Sequence, residues 1–255
     1  MNNLIVVGGG IVGSVIARYS QLNGLGLSTV IDSGFSFAAS PAAACLLKES
    51  WLPKGHYSKS MEILTKLATP RSVRFQGQPG SASCFTPEDL MVKLPVRDTV
   101  QYVSDGYVRC ISGKEYRGTV VVAAGVWTKT LLDVAVHGMA GMALIYPNQT
   151  EPRYKIWAPY KQIISFPIKE GKMYVSDGTA VKLWNDSLTK RLHVHAKSVG
   201  LTGPSTFRIG MRPYTKEKPK LIKISSNLWV ATGTRKSGTV LSALWADEFV
   251  RHYKK

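Results

Sequence analysis

The chain opens on a change of period. Leu4–Val7 is an unbroken apolar run of strand length, and Gly8-Gly9-Gly10-Ile11-Val12-Gly13 follows it directly. Over residues 14–23 the apolar positions shift to Val15, Ile16, Tyr19 and Leu22, the spacing of one helix face. Gly24 and Gly26 stop that helix, and residues 27–32 form a second apolar run ending on the acid Asp32. The pattern predicts a strand–helix–strand unit.

Further along, the Ala-rich residues 40–47 predict a helix with Ser40 and Pro41 as its start, and residues 61–67 predict another. Alternating residues 100–103 and 106–111 around Ser104-Asp105-Gly106 predict a hairpin. Residues 119–123 read as an apolar strand closed by Ala124-Gly125, with a helix from Thr128. The middle of the chain reads as antiparallel strands at 162–167 and 172–176 around Glu170-Gly171, then a helix over 187–199. A late strand, Leu228–Thr232, precedes a terminal helix over 240–253. The expected class is α/β. A Rossmann-type dinucleotide-binding part (residues 1–50, 95–140 and 205–255) is interleaved with a smaller β-rich α+β part (51–94 and 141–204).

Composition narrows the function. With 255 residues and 44% hydrophobic content the chain can bury a full core. No uninterrupted apolar window of transmembrane length occurs, and the start lacks the regions of a signal peptide. The expectation is a cytoplasmic protein without a membrane partner. Cys45, Cys84 and Cys110 are odd in number and far apart, which suits buried reduced thiols rather than a disulfide framework or a zinc site. His193 and His195 would share a strand face, but no third ligand lies near, so no metal is expected. The net charge is +17, and residues 151–223 carry 15 Lys and Arg against 5 Asp and Glu. Such a field favours a polyanion, and nucleic acid is the expected partner. Trp51, Trp157, Trp184 and Trp229 read as core or interface residues. Trp157 and Tyr160, amid Arg153, Lys155 and Lys161, also suit stacking on an exposed base.

Gly8, Gly10 and Gly13 form G-x-G-x-x-G between a predicted strand and a predicted helix. The first permits the tight turn, the second lets a pyrophosphate approach the backbone, and the third allows close helix–strand packing. The helix start, with Ile11 and Val12, offers free amides and a positive dipole end to phosphates. Asp32, with Ser33 beside it, stands where an acid accepts hydrogen bonds from a ribose diol.

Four segments together resemble the D-amino-acid oxidase and glycine oxidase family of FAD-dependent oxidoreductases. The Rossmann unit is one. Ala39-Ser40-Pro41-Ala42-Ala43-Ala44-Cys45-Leu46 is similar to the helix start beside the flavin pyrophosphate and ring. Val120 to Trp127, with Ala124 and Gly125, is similar to the strand and turn that close over the cofactor. Gly210-Met211-Arg212-Pro213-Tyr214-Thr215 is similar to the substrate segment. Gly233 and Ser237-Gly238-Thr239-Val240 are similar to the flavin-ring loop.

The resemblance implies that Arg212 pairs with a substrate carboxylate, that the amides of Gly238 to Val240 face the flavin pyrimidine edge, and that Val100 reaches the adenine. The chain departs from the family in four ways. Asp32 replaces the more usual Glu, Cys45 stands at a usual glycine, the segment after Thr215 is short and basic, and the substrate part is trimmed. Tyr174 and Tyr214 are candidate pocket tyrosines, though both also suit core packing.

Compact members of this family occur in bacteriophages that hypermodify thymidine, and the chain resembles them. That resemblance joins an amine-oxidase scaffold to the +17 charge. The expected substrate is a glycyl-modified thymine in DNA, oxidised at its C–N bond to an aminomethyl base and glyoxylate, in the host cytoplasm. The alternatives are an oxidase of free glycine or D-amino acids, and a catalytically silent flavin- or nucleic-acid-binding module.

Overall fold

A computed structural model of the chain describes residues 3–75, 80–147, 155–156, 164–169, 171–182 and 186–254. Two sheets dominate it. The first has six strands in the order Lys220–Ser225, Leu228–Thr232, Thr119–Val122, Leu4–Val7, Ser28–Asp32 and Val96–Arg97. All pair in parallel except Lys220–Ser225, which returns antiparallel along Leu228–Thr232. Its three central strands, Leu4–Val7, Thr119–Val122 and Leu228–Thr232, are buried throughout because both faces are covered. Leu4, Val6, Val121, Trp229 and Ala231 pack with the helices Ile11–Leu22 and Gly238–Tyr253. Ile5, Val7, Val120, Val122, Leu228 and Val230 meet Val103, Val108 and Cys110 of a three-stranded meander, Val100–Ser104, Tyr107–Cys110 and Glu115–Arg117. Alternate residues of one strand thus serve two different cores.

The second sheet is antiparallel, in the order Lys155–Ile156, Ile164–Lys169, Lys172–Ser176, His137–Tyr146 and Thr206–Tyr214. Met142, Leu144, Tyr146, Met173 and Val175 bury one face against the helix Asp186–Ser198 through Leu188, Leu192 and Ala196. Ala143, Ile145, Phe166, Ile168 and Tyr174 bury the other against a small sheet of Leu46–Leu47, Ser81–Cys84 and Arg71–Arg74. The pairing of His137–Tyr146 with Thr206–Tyr214 runs through nine residue pairs, so Arg212 is carried by the antiparallel sheet although its segment falls within residues 205–255, which the sequence pattern groups with the dinucleotide-binding part.

Three local expectations are corrected. Residues 40–47 do not form a helix: Ser40–Ala42 is one 3₁₀ turn, Ala43 is extended, Cys45 takes φ 46°, and Leu46–Leu47 pairs with the strand Ser81–Cys84. Burying Leu47 completely contributes ~2 kcal/mol, which exceeds the few tenths of a kcal/mol per residue by which alanine favours helix. The helix expected over 61–67 instead spans His56–Leu64 and starts after Gly55. His193 and His195 lie on the helix Asp186–Ser198 and not on a strand; His195 is buried, and the Nδ1 of half-buried His193 lies 2.8 Å from the hydroxyl of buried Tyr146. No group of three metal-binding side chains occurs among the described residues. Cys45, Cys84 and Cys110 are buried and unbridged. Among the described residues no helix is long and apolar enough to cross a membrane. Trp157, Tyr160, Arg153, Lys161 and Trp184, and the side chain of Lys155, lie outside what is described.

Candidate active site

A cleft of about 590 Å³ runs between the two large sheets. Gly8, Gly10, Ile11, Val12, Asp32, Ser33, Ala39, Ser40, Val100, Ala124, Gly125, Trp127, Gly210, Arg212, Ser237, Gly238, Thr239 and Val240 all line it. These residues come from segments spread over most of the chain. Gly13 and Gly233 do not line the cleft.

The turn after the first strand owes its shape to atoms that leave no room for side chains. Gly8 has φ 107°, and a Cβ there would lie 2.4 Å from the Ala123 carbonyl oxygen. A Cβ on Gly13 would lie 2.1 Å from the Gly8 carbonyl oxygen, so the helix sits directly on the turn. Gly9 N–H donates to Asp32 Oδ2 at 2.6 Å, and Ile11 N–H donates to Ser40 Oγ at 2.8 Å. Asp32 Oδ1 accepts from Gly34 N–H at 2.8 Å and from the Arg97 guanidinium at 3.0 Å. The carboxylate is therefore tied both to the glycine turn and to the strand Val96–Arg97, and its negative charge is fixed at the cleft wall. Near this end Phe35 stacks on Trp127, centroids 5.2 Å apart. Both rings line the cleft.

The opposite end carries the cations. Arg212 donates through one terminal nitrogen to the carbonyl oxygens of Gly178 (3.0 Å) and Thr179 (3.1 Å). Its guanidinium lies so close over the neighbouring strand that a Cβ at Gly141 would be 2.5 Å from its central carbon. The loop presenting those carbonyls is held by an ion pair of Asp177 with Arg191, which also donates to Thr179 Oγ1 at 3.0 Å. Asp177 Oδ1 in turn accepts from Thr179 N–H. Lys236 reaches over Gly178 from the other side. Burial lowers the pKa of Lys236, and the Arg212 charge lowers it further, against an opposing pull from Asp177. Tyr174 is buried in the wall and donates its hydroxyl to the Ala42 carbonyl at 3.1 Å. Burial pushes its pKa up to about 12, although Arg212 nearby works the other way. Burial likewise pushes the Cys45 thiol to about 12, which leaves it protonated and inert. Tyr214, the other tyrosine considered, packs beside His137 and Arg235.

Phe35, Trp51, Arg97, Gly141, Ile164, Asp177 and Lys236 belong to the site or its support without a signal in the linear pattern. Each is recruited by strand pairing or loop closure between segments far apart in sequence. Trp51, read from sequence as core or interface, stands half-open in the cleft wall, whereas Trp229 is buried as expected.

The sequence matches no family model, and no curated protein matches it. Solved structures do match the fold. Glycine oxidase from Geobacillus kaustophilus is similar at 16% identity with TM-score 0.76, over 99% of this chain and 95% of that one. Iminodiacetate oxidase from Chelativorans sp. BNC1 is similar at 12% identity with TM-score 0.71, over 96% and 93%. Glycerol-3-phosphate dehydrogenase from Bacillus halodurans, complexed with FAD, is similar at 17% identity with TM-score 0.65, over 99% of this chain and 65% of that one. The protein thus shares the two-part α/β fold of these oxidoreductases, with its cleft between the parallel and the antiparallel sheet.

Proposed function

We propose that the protein is an FAD-dependent oxidoreductase that breaks the C–N bond of a glycine-like amine. The observation that carries this reading is the meeting, in one cleft, of a glycine-shaped turn at a helix start with an arginine fork on the facing sheet. The wall fits a dinucleotide. Side chains are excluded at the turn by the close approaches at Gly8 and Gly13, and the start of the helix Ile11–Leu22 faces the cleft. The turn and Ser40 would hold the pyrophosphate, and Asp32 with Ser33 the ribose. Val100 and the Ala124–Trp127 turn would enclose the adenine side, while the amides of Ser237 to Val240 would hold the ring. When bound, FAD supplies the acceptor for a hydride from the carbon beside the amine nitrogen and passes the two electrons to dioxygen.

The chain's own residues bind and orient. Arg212 has one terminal nitrogen committed to Gly178 and Thr179, which aims the rest of its fork at a carboxylate. Asp177 is engaged by Arg191 and the Tyr174 hydroxyl stays protonated, so neither is a base for the amine. On this reading the amine arrives neutral. As the hydride leaves, the nitrogen lone pair forms the C=N bond and the amine proton departs to water. Water then adds to the imine carbon and splits the C–N bond, releasing glyoxylate and the amine that carried it.

We further infer that this amine is a glycyl group on a thymine of DNA, in the manner of the bacteriophage enzymes the sequence resembles. The net charge of +17 supports a polyanionic partner. The similarity to iminodiacetate oxidase, whose named substrate is itself an N-substituted glycine, supports a secondary amine.

The test is a visible spectrum of the purified protein followed by anaerobic reduction with glycine and with glycyl-modified DNA at two salt concentrations. Bleaching by the DNA is expected, with affinity falling about tenfold or more between 50 and 200 mM salt. Salt-insensitive bleaching by free glycine would establish the free amino acid as substrate. A colourless protein that cannot be reconstituted with FAD would overturn the whole reading.

A further inference from the structure

The wall of the cleft on the Arg212 side contains a row of aromatic rings in contact. Tyr174 packs on Phe166 at 5.2 Å between centroids, Phe166 meets Phe75 edge-on at 6.3 Å, and Phe75 meets Trp51 at 5.9 Å. The inner three are buried: Phe75 is 3% exposed, Phe166 0% and Tyr174 3%. Trp51 ends the row and is 43% exposed, and it lines the same cleft as Tyr174 and Arg212. It is also fixed in place. Its backbone N–H closes the 3₁₀ turn Glu49–Trp51 on the Lys48 carbonyl, and the Lys48 ammonium lies 5.6 Å from its ring centroid.

A large aromatic that is rigidly backed and left open in a cleft presents a ready face for stacking. Leu46 and Ile164 line the same cleft, as do the cations Arg212 and Lys236. The wall suits a ligand with a carboxylate at one end and a flat, weakly polar group at the other. Stacking of such a ring on a fixed aromatic is favourable for any base, since each has a π-face.

We propose that Trp51 is a stacking platform for a planar ring carried on the nitrogen of the substrate amine. This inference rests on the oxidase reading above and names the class of its substrate: N-substituted glycines whose substituent is aromatic or heteroaromatic, such as a thymine joined through its methyl carbon. Arg212 takes the carboxylate, the glycyl carbon lies between, and the ring rests on Trp51.

The experiment uses the FAD-loaded protein with glycine, N-butylglycine and N-benzylglycine, the last two similar in reach but only one bearing a ring. Bleaching of the visible absorbance gives the binding constant and the limiting rate. Tryptophan fluorescence gives binding without turnover. The native protein is expected to bind N-benzylglycine about tenfold more tightly than N-butylglycine. Trp51→Ala is expected to erase that preference, weakening N-benzylglycine about tenfold and N-butylglycine less. Trp51→Phe should restore most of the preference and remove most of the fluorescence quenching. Equal binding of the two compounds by the native protein, or an undiminished preference in Trp51→Ala, would overturn the platform while bleaching by both still upheld the oxidase. If no amine bleaches the protein, the oxidase reading falls, and the fluorescence comparison still decides whether Trp51 receives the ring.

Discussion

The two sheets that face the cleft commit their residues in opposite ways. The parallel sheet places a short, contiguous turn at the end of one strand, and that turn is shaped by backbone contacts. The antiparallel sheet places single side chains from separate strands and loops: Arg212 on one strand, Gly141 on its partner, Asp177 on a loop, with Arg191 on a helix behind. The first arrangement is rigid and local. The second depends on long-range register. The contrast predicts where substitutions remove the cofactor and where they remove only the substrate.

The largest effect is expected at the turn. Gly8→Ala adds a Cβ 2.4 Å from a carbonyl oxygen at a φ that disfavours it. Overpacking and strain together cost about 3 kcal/mol or more. The protein should purify without yellow colour and melt at a lower temperature. Gly24→Ala, at φ 77° with open space around it, should cost only about 1 kcal/mol and keep its colour. Equal behaviour of the two variants would break the claim that close approach, and not glycine's freedom alone, makes the turn.

Next comes the fork on the facing sheet. Arg212→Met should keep the flavin spectrum and lose roughly 10²–10³ in kcat/KM, the loss of a bidentate charge-assisted contact. Arg212→Lys should recover little, because a point charge cannot bond Gly178 and Thr179 and still present two donors to a carboxylate. Loss of colour in Arg212→Met would show that the antiparallel half also holds the cofactor, and the division drawn above would fail.

This contrast also explains what the sequence made legible. The run Leu4–Val7, the glycines and Asp32 act within one strand–helix–strand unit, so their spacing alone placed them. Arg212 was found through its neighbours Gly210 and Pro213, a resemblance and not a periodicity. Nothing in the pattern marked Trp51, Phe35 or Arg97, because their roles arise from packing between segments: Trp51 on Phe75, Phe35 on Trp127, Arg97 on Asp32. The alanines near position 42 misled for the same reason. Their helical preference is weak and local, while the pairing of Leu46–Leu47 with the strand Ser81–Cys84 is decided elsewhere.

The support behind Arg212 is expected to matter less than Arg212 itself. The Asp177 side chain is 1% exposed and Arg191 30%. Removing the partner of a buried charge is destabilising, here by about 2 kcal/mol, since half-open Arg191 is partly screened. Arg191→Gln should therefore loosen the Gly178–Thr179 loop, raise KM about tenfold and change the limiting rate of flavin bleaching little. An equal fall in the limiting rate would place Arg191 in the chemistry instead.

The smallest expected effect is a pH dependence at Lys236. Its pKa lies below the ordinary lysine value, first through burial of the ammonium end and then through the adjacent Arg212 charge. A lysine lowered in this way loses its proton earlier as pH rises, before the exposed lysines do. The cleft then loses a positive charge beside Arg212. An anionic substrate should accordingly bind a few-fold more weakly as pH climbs toward the ordinary lysine range, with the limiting rate unaffected by this group. Lys236→Met should show the weaker binding at every pH and lose the alkaline drift. A drift that persists in Lys236→Met would assign it to another group of the cleft, and the cationic end of the antiparallel sheet would then reduce to Arg212 alone.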